Sequence, residues 1–317
     1  MSLVVCHQYD DKLASSLADG LPDDVILVAL GTTPETAWAV PRDAEVLLIN
    51  QNSASIGLHQ AMPAPPGWPF NLKWVHLRST GIDKYPIWIF EVPRVTVNRG
   101  GYAVPISEYA LAAMLSFVKR MPAIWAVDGR GWRNHQLADL SGQTLGIVGF
   151  GEIGKAIAQR ALAFDMTVVG TRRSPGPLGF DGVTAMPLEA LLQTADQVVL
   201  SAPLTAETRG MIDAAALNLM KSGAHLINVG RGALIDTEAL RAALDSHLGG
   251  VTLDVTDPEP LPDGHWLFTH PKVRVSPHIS GSSQQTRNRA NAFLWDNLDR
   301  YRNGAKLQGE VNKELGY

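Results

Sequence analysis

The sequence predicts an α/β protein of two domains with mostly parallel sheets, and three observations carry that expectation. Its 317 residues exceed the roughly 100 to 200 of a single domain. Short apolar runs alternate with helix-like stretches from end to end, the pattern of strands joined by crossover helices. Hydrophobic residues make up 45% and charged residues 18%, enough apolar material for two cores and unlike a disordered chain.

Composition also narrows the function. Twenty-seven basic against 31 acidic residues leave a net charge of −4, where a nucleic-acid binder carries a basic excess to neutralise phosphates. No apolar run approaches the roughly 18 residues that cross a bilayer, so no membrane association is expected. The start, MSLVVCHQYDD, lacks a basic region, and the apolar run Leu3 to Cys6 is too short for a signal peptide. The single cysteine, Cys6, forms no internal disulfide or thiolate cluster. A soluble cytoplasmic protein is expected.

In the first third, strands are expected at Leu3–Cys6, Val25–Leu30, Glu45–Asn50, Leu72–Leu77 and Arg94–Val97. AMPAPPGWPF, residues 61–70, is too rich in proline for a helix or central strand and reads as a surface loop. A helix is expected from Ile106 to Arg120, with Glu108 in its first turn and Lys119 and Arg120 in its last, charges that suit the helix dipole. Met121-Pro122 ends it, and a polar stretch from Asp128 to Gln143 follows. A second series then places strands at Thr144–Phe150, Met166–Gly170, Gln197–Leu200, His225–Val229, Gly250–Val255 and Val273–Ser276. The last helix, Ser283–Arg302, carries Ala290, Phe293, Leu294 and Leu298 at helical spacing.

The strand TLGIVGF runs into GFGEIG, and an amphipathic helix follows. In that strand–turn–helix context the three glycines are a dinucleotide-binding fingerprint. Gly149 makes the tight turn, Gly151 lets the backbone approach a pyrophosphate, and Gly154 lets the helix pack close. The phosphates would sit at the helix N-terminus, beside Glu152 and Ile153. An NAD enzyme normally offers an acidic residue about 20 positions after this turn for the ribose 2′-hydroxyl. Here Thr171, Arg172, Arg173 and Ser174 follow the second strand, with Arg172 in that slot, 18 positions after Gly154. Adjacent guanidiniums suit a 2′-phosphate. NADP(H) is therefore the expected cofactor, with NAD(H) as the alternative.

Three later strand ends carry polar residues: Arg231 in INVGRGALIDTEAL, Asp254 and Glu259 in LDVTDPEPLP, and His278 in SPHISGSS. Open α/β sheets bind ligands at that edge. An arginine, a glutamate and a histidine there suit an oxidoreductase centre. His265 and His270 stand five apart, off the helical ligand spacing, so no metal site is expected.

In GFGEIG, SAPLTAETRGMI, INVGRGALIDTEAL, LDVTDPEPLP and SPHISGSS, in that order, the chain resembles the D-isomer-specific 2-hydroxyacid dehydrogenase family. The resemblance runs from about Ser107 to Ser283, with LRSTGID (77–83) similar to the family's substrate-carboxylate loop. It implies a Rossmann dinucleotide-binding domain, residues 100–283, inserted in a smaller flavodoxin-like α/β substrate domain, residues 1–99 plus 284–317. It further implies catalytic roles. Arg231 would clamp the substrate carboxylate and polarise the keto oxygen. His278 would exchange a proton with that oxygen, and Glu259 would fix its tautomer. Ser79, Thr80 and Gly81 would receive the carboxylate through their backbone, with domain closure assembling the site. Asp254 would contact the nicotinamide carboxamide, while Ala202, Pro203, Asn228, Val229 and Ser280 would line the cofactor groove.

The implied activity is NADPH-dependent reduction of a small 2-keto acid, such as glyoxylate or hydroxypyruvate, by a homodimer. Trp132 falls in the segment that crosses the family's dimer interface, where it reaches the partner's cleft or simply packs at the surface. A nucleotide-sensing corepressor-like scaffold, or a phosphite- or formate-type dehydrogenase, is the alternative. Two residues depart from the family pattern: Arg172 replaces its commoner Asp, and Asp165 its usual Gly before the second strand. Substrate choice is expected to rest on loops at 50–55 and 78–81 and on side chains near 262–267.

Overall fold

A computed structural model of the protein describes residues 2–31, 33, 36–50, 59–174 and 176–313. Of the loop at 50–55, residues 51–55 lie outside the described residues. The chain divides into two compact units, residues 1–102 with 283–317 and residues 103–282.

The first unit begins with β1 (Leu3–His7), α1 (Asp11–Ala18), β2 (Val25–Ala29), β3 (Val46–Ile49), β4 (Trp74–Leu77) and β5 (Arg94–Val97). Its strands pair in parallel in the order β2-β1-β3-β4-β5, the flavodoxin-like doubly wound arrangement. Val5 lies opposite Leu27 on one side and Val46 on the other. Strands covered on both faces read as unbroken apolar runs, and all four residues of β3 and β4 are buried. The helix after β1 has no marked signal in the sequence. It forms there because Asp10 caps it, accepting from the Leu13 N–H at 2.8 Å, and because Leu13 and Leu17 share its buried face.

The proline-rich stretch at 61–70 is a loop, but not a purely superficial one. Trp68 is half-buried, its ring 4.6 Å from Trp88 and 5.8 Å from Trp38, and its Nε1 donates to the Trp88 carbonyl at 2.7 Å. Aromatic packing pins a segment that proline keeps out of the sheet.

The second unit opens with α2 (Ala103–Val118), three residues ahead of its expected start. Pro105 lies in its first turn, where its missing N–H would have no helical partner anyway. Glu108 consequently falls in the second turn, and Lys119 and Arg120 lie beyond the helix, Arg120 at φ 55°. There follow β6 (Thr144–Val148), α3 (Glu152–Leu162), β7 (Thr167–Thr171), β8 (Val183–Ala185), α4 (Leu188–Thr194) and β9 (Gln197–Leu200). After these come α5 (Ala214–Leu219), β10 (His225–Asn228), α6 (Thr237–Ser246), β11 (Gly250–Leu253) and β12 (Val273–Val275).

The sheet order is β12-β11-β10-β9-β6-β7-β8, all parallel, a Rossmann arrangement with a seventh strand. β8 is three residues long, pairs on one side only and carries no apolar run. Leu191, Val198, Leu200, Leu226, Leu240 and Leu244 form the core of one face, and α2 packs on α3. Asp165, where the family pattern has Gly, adopts φ 55°, a left-handed conformation Asp tolerates better than most side chains.

The chain ends in the first unit with α7 (Gln284–Arg302), capped by Ser283, which accepts from the Thr286 N–H at 3.0 Å. Its Leu294 and Leu298 join Val5, Leu17, Leu48 and Trp74 in a core cluster. No helix among the described residues is long and apolar enough to cross a membrane.

Candidate active site

The C-terminal edge of the Rossmann sheet gathers four loops, with those after β9 and β11 beside them. The first is the glycine turn after β6. Gly149 has φ +97°, and a Cβ there would meet the Ala202 backbone nitrogen at 2.4 Å, so only glycine fits against the β9 loop. The turn is tied down on both sides: its N–H donates to the Thr171 carbonyl at 3.0 Å and its carbonyl accepts from Ser201 Oγ at 2.7 Å. A Cβ on Gly154 would come within 2.7 Å of the Gly149 carbonyl oxygen, so the helix packs tightly on the turn.

Gly151 differs. A Cβ there would meet nothing within 4 Å, and Gly151 caps α3 with no side-chain hydrogen bond. The first N–H groups of α3, on Glu152, Ile153 and Gly154, have no acceptor among the described residues and lie at the positive end of an 11-residue helix. That open, uncapped terminus fits a dinucleotide pyrophosphate.

The second loop leaves β7 at Thr171. Arg172 and Arg173 are both exposed. Arg172 lies along its own loop, Nε donating to the Ser174 carbonyl at 3.3 Å and Nη2 to that of Pro177 at 3.0 Å. Arg173 pairs with Glu207, which belongs to the β9 loop beyond Ala202 and Pro203. An acidic side chain therefore does enter the region where the β7 end lacks one, from a neighbouring loop and beside a guanidinium.

Behind β10, Asn228 is fully buried and braces a tight turn, its Oδ1 accepting from the Gly230 N–H at 3.0 Å and its Nδ2 donating to the Arg231 carbonyl at 2.8 Å. Val229 is buried in that turn. Arg231 follows, half-buried, with Nη1 donating to the Gly230 carbonyl at 2.8 Å. A Cβ on Gly232 would lie 2.0 Å from the Thr256 carbonyl carbon, so glycine is what lets the Arg231 loop pass the β11 loop leading to Glu259.

The fourth loop, after β12, carries His278. Its Nδ1 lies 2.8 Å from Glu259 Oε1. A carboxylate only accepts, so Nδ1 carries the hydrogen and Nε2 is the nitrogen turned to other chemistry. His278 has φ +53°, uncommon for a non-glycine residue, and is held there by its N–H, which donates to the Asp254 carbonyl at 2.8 Å and to that of Ser276 at 3.0 Å.

Asp254 organises this loop. Its buried carboxylate accepts from the N–H groups of Ile279 and Ser280, each at 3.0 Å, and from Ser276 Oγ at 2.5 Å. Ser276 spends its hydrogen on Asp254, so Tyr109 on α2 donates to Ser276 Oγ at 2.6 Å. Asp254 and Ser280 are legible as candidates in the sequence, but Tyr109 and Ser276 are not. A partner 167 positions away leaves no mark in local spacing.

The remaining candidates lie in the first unit. Ser79, Thr80 and Gly81 follow β4, where Ser79 Oγ lies 2.9 Å from Tyr85 Oη and donates to the Gly81 carbonyl at 2.9 Å. Among the described residues no group of three His, Cys, Asp or Glu side chains is placed to hold a metal ion.

Residues 111–280 match the family model for the NAD-binding domain of D-isomer specific 2-hydroxyacid dehydrogenases. The chain belongs to that family. It is 39% identical over 244 residues to a glyoxylate reductase of Thermococcus gammatolerans, across 72% of this chain and 70% of the relative. It is 34% identical over 255 residues to a D-3-phosphoglycerate dehydrogenase of Bacillus subtilis, across 76% of this chain but 47% of that longer protein. The crystal structure of a D-isomer specific 2-hydroxyacid dehydrogenase from Xanthobacter autotrophicus Py2, in complex with NADPH and MES, covers 100% of both chains with a TM-score of 0.82 at 25% identity. As a 2-hydroxyacid dehydrogenase, the protein is an oxidoreductase with a nicotinamide dinucleotide-binding domain.

Proposed function

We propose that the protein reduces a small 2-keto acid, glyoxylate, hydroxypyruvate or a near relative, to the D-2-hydroxy acid, preferring NADPH to NADH. The observation that carries this reading is the His278–Glu259 pair at 2.8 Å on the cofactor edge of the sheet. A histidine oriented by a carboxylate is suited to proton transfer at a carbonyl oxygen. When bound, the reduced nicotinamide supplies a hydride to the keto carbon. His278 gives a proton from Nε2 to the keto oxygen, while Glu259 accepts the Nδ1 hydrogen and so orients the ring. Arg231 fixes the carboxylate and stabilises negative charge developing on the oxygen. Ser79, Thr80 and Gly81 hold the same carboxylate through their N–H groups.

The NADPH preference is supported by Arg172 and Arg173 at the end of β7. Their positive charges suit a 2′-phosphate, which a carboxylate in that slot would repel. The partner in this reading is a second copy of the chain. Trp125, Val127 and Trp132 are 65%, 96% and 87% exposed along the segment between α2 and β6, an apolar surface that a subunit contact would cover.

The test is loss of reduced-nicotinamide absorbance, with NADPH and NADH each offered glyoxylate, hydroxypyruvate, pyruvate and bulkier 2-keto acids. Turnover with NADPH well above NADH is expected. Preference for NADH would remove the cofactor assignment and leave the chemistry. Tight NADPH binding with no acid turned over would favour a sensing scaffold.

A further inference from the structure

We infer that Arg78 is a substrate-positioning residue, a buried cation whose charge favours the acid's carboxylate at the Ser79–Thr80–Gly81 loop. The inference rests on the proposed reading of that loop and adds to it a charge and a specificity determinant.

Arg78 is 7% exposed. Its partners in the first unit are both neutral: Nη1 donates to Asn291 Oδ1 at 3.2 Å, and the guanidinium carbon stands 5.6 Å from the Tyr9 ring centroid. Among the described residues it forms no ion pair with a carboxylate. A buried charge is ordinarily paired, and a guanidinium carries five N–H donors. The acceptor is also of settled identity. Asn291 Nδ2 donates to Ser16 Oγ at 2.8 Å and to the Ser16 carbonyl at 3.1 Å, so Oδ1 is the atom turned to Arg78. The fold surrounds this cation with neutral groups at a place where Asp, nearly the shape of Asn, would neutralise it.

The loop that follows has the matching polarity. The Ser79 carbonyl accepts from the Asn98 N–H at 3.2 Å and the Gly81 carbonyl from Ser79 Oγ at 2.9 Å, while Thr80 Oγ1 donates to the Asn98 carbonyl at 2.9 Å. The backbone N–H groups of Ser79, Thr80 and Gly81 have no acceptor among the described residues. The carbonyls of Ser79 and Gly81 are taken up by the protein and the amides are left, directly after a buried cation. Tyr102 Oη donates to the Arg78 carbonyl at 3.2 Å and fixes the start of the loop. The ligand this corner fits is a small carboxylate, received by N–H donors and favoured by a charge that water screens poorly.

The test compares wild type with Arg78→Met, Arg78→Lys and Asn291→Asp, reading KM and kcat for glyoxylate and hydroxypyruvate, Kd for NADPH, and Tm. Arg78→Met is expected to raise KM for the acid on the order of tenfold, with kcat changed much less. Arg78→Lys, which keeps the charge, should restore most of the wild-type KM. Asn291→Asp should raise KM as Arg78→Met does while Tm holds or rises, because it adds an ion pair and removes the net charge. A purely structural Arg78 predicts the reverse for Asn291→Asp, an unchanged KM. That result would overturn the inference, and it decides the matter even if Arg78→Met does not fold. Wild-type protein that reduces no 2-keto acid would instead sink the underlying functional reading, and this inference with it.

Discussion

Nδ1 of His278 donates to Glu259 Oε1 at 2.8 Å, although the two residues lie on separate strand-end loops, 19 positions apart. Glu259→Gln keeps the shape but leaves an acceptor without charge, and a flipped amide would offer Nδ1 a donor. Turnover is expected to fall roughly 10- to 100-fold while NADPH affinity stays within about twofold. Steady-state kinetics and a fluorescence titration check both. Unchanged kcat would take Glu259 out of the proposed mechanism.

The Asp254 carboxylate holds the His278 loop through three donors. Asp254→Asn replaces one acceptor oxygen with an NH2 group facing a donor. The cost is expected to be about 1 to 3 kcal/mol of stability, with a loss of turnover alongside. Tyr109→Phe removes only the outermost hydroxyl of the chain, since Ser276 still donates to Asp254, and should cost less on both counts. Denaturant unfolding and kcat for the two variants establish the order. Equal effects would show that the chain does not act as drawn.

Cofactor choice is predicted to respond to three residues. Arg172→Ala with Arg173→Ala should lower kcat/KM for NADPH at least tenfold and leave NADH nearly unaffected. Glu207 competes with a 2′-phosphate for Arg173, so Glu207→Gln should raise the NADPH-to-NADH ratio by a few fold. A fall in that ratio would mean that Glu207 serves the adenosine ribose instead.

His76 and His225 are buried in separate units, and burial lowers each pKa to about 3. His225 sits between Gln197 Oε1 at 3.0 Å and Thr252 Oγ1 at 2.9 Å, under the Phe117 ring at 4.3 Å. The native state refuses a proton that the unfolded chain accepts near pH 6.5. Stability therefore falls as pH drops from about 6.5 toward 3, by up to roughly 1.4 kcal/mol per pH unit for each histidine. Between pH 6.5 and 5, His225→Gln should lose about 2 kcal/mol less than wild type, measured by urea unfolding. Equal losses would contradict the assignment.

The parts legible in the sequence are those whose physics is local. An apolar run such as Gln197–Leu200 marks a buried parallel strand, and its bounds in the structure are the same. GFGEIG announces its turn because Gly149 and Gly154 are glycine for steric reasons that act within a few residues. Asp165 in a Gly position puts the turn conformation in question on sequence grounds, yet the structure keeps a left-handed residue there, at φ 55°. What stays hidden depends on residues distant in sequence. Pro105 belongs inside α2 because the first turn needs no N–H, which a reading of proline as a helix breaker misses. Trp68 looks like part of a surface loop until Trp38 and Trp88 arrive beside it. The Tyr109–Ser276 contact and the neutral surroundings of Arg78, set by Asn291 from the far end of the chain, have no spacing signature at all.

The role of His278 is tested most directly by His278→Ala, with kcat for glyoxylate reduction and Kd for NADPH measured on the same preparation. Normal NADPH binding is expected, with turnover reduced at least about 100-fold, the scale of a lost general acid. Turnover near that of wild type, with NADPH bound as tightly, would contradict the assignment of His278 as proton donor.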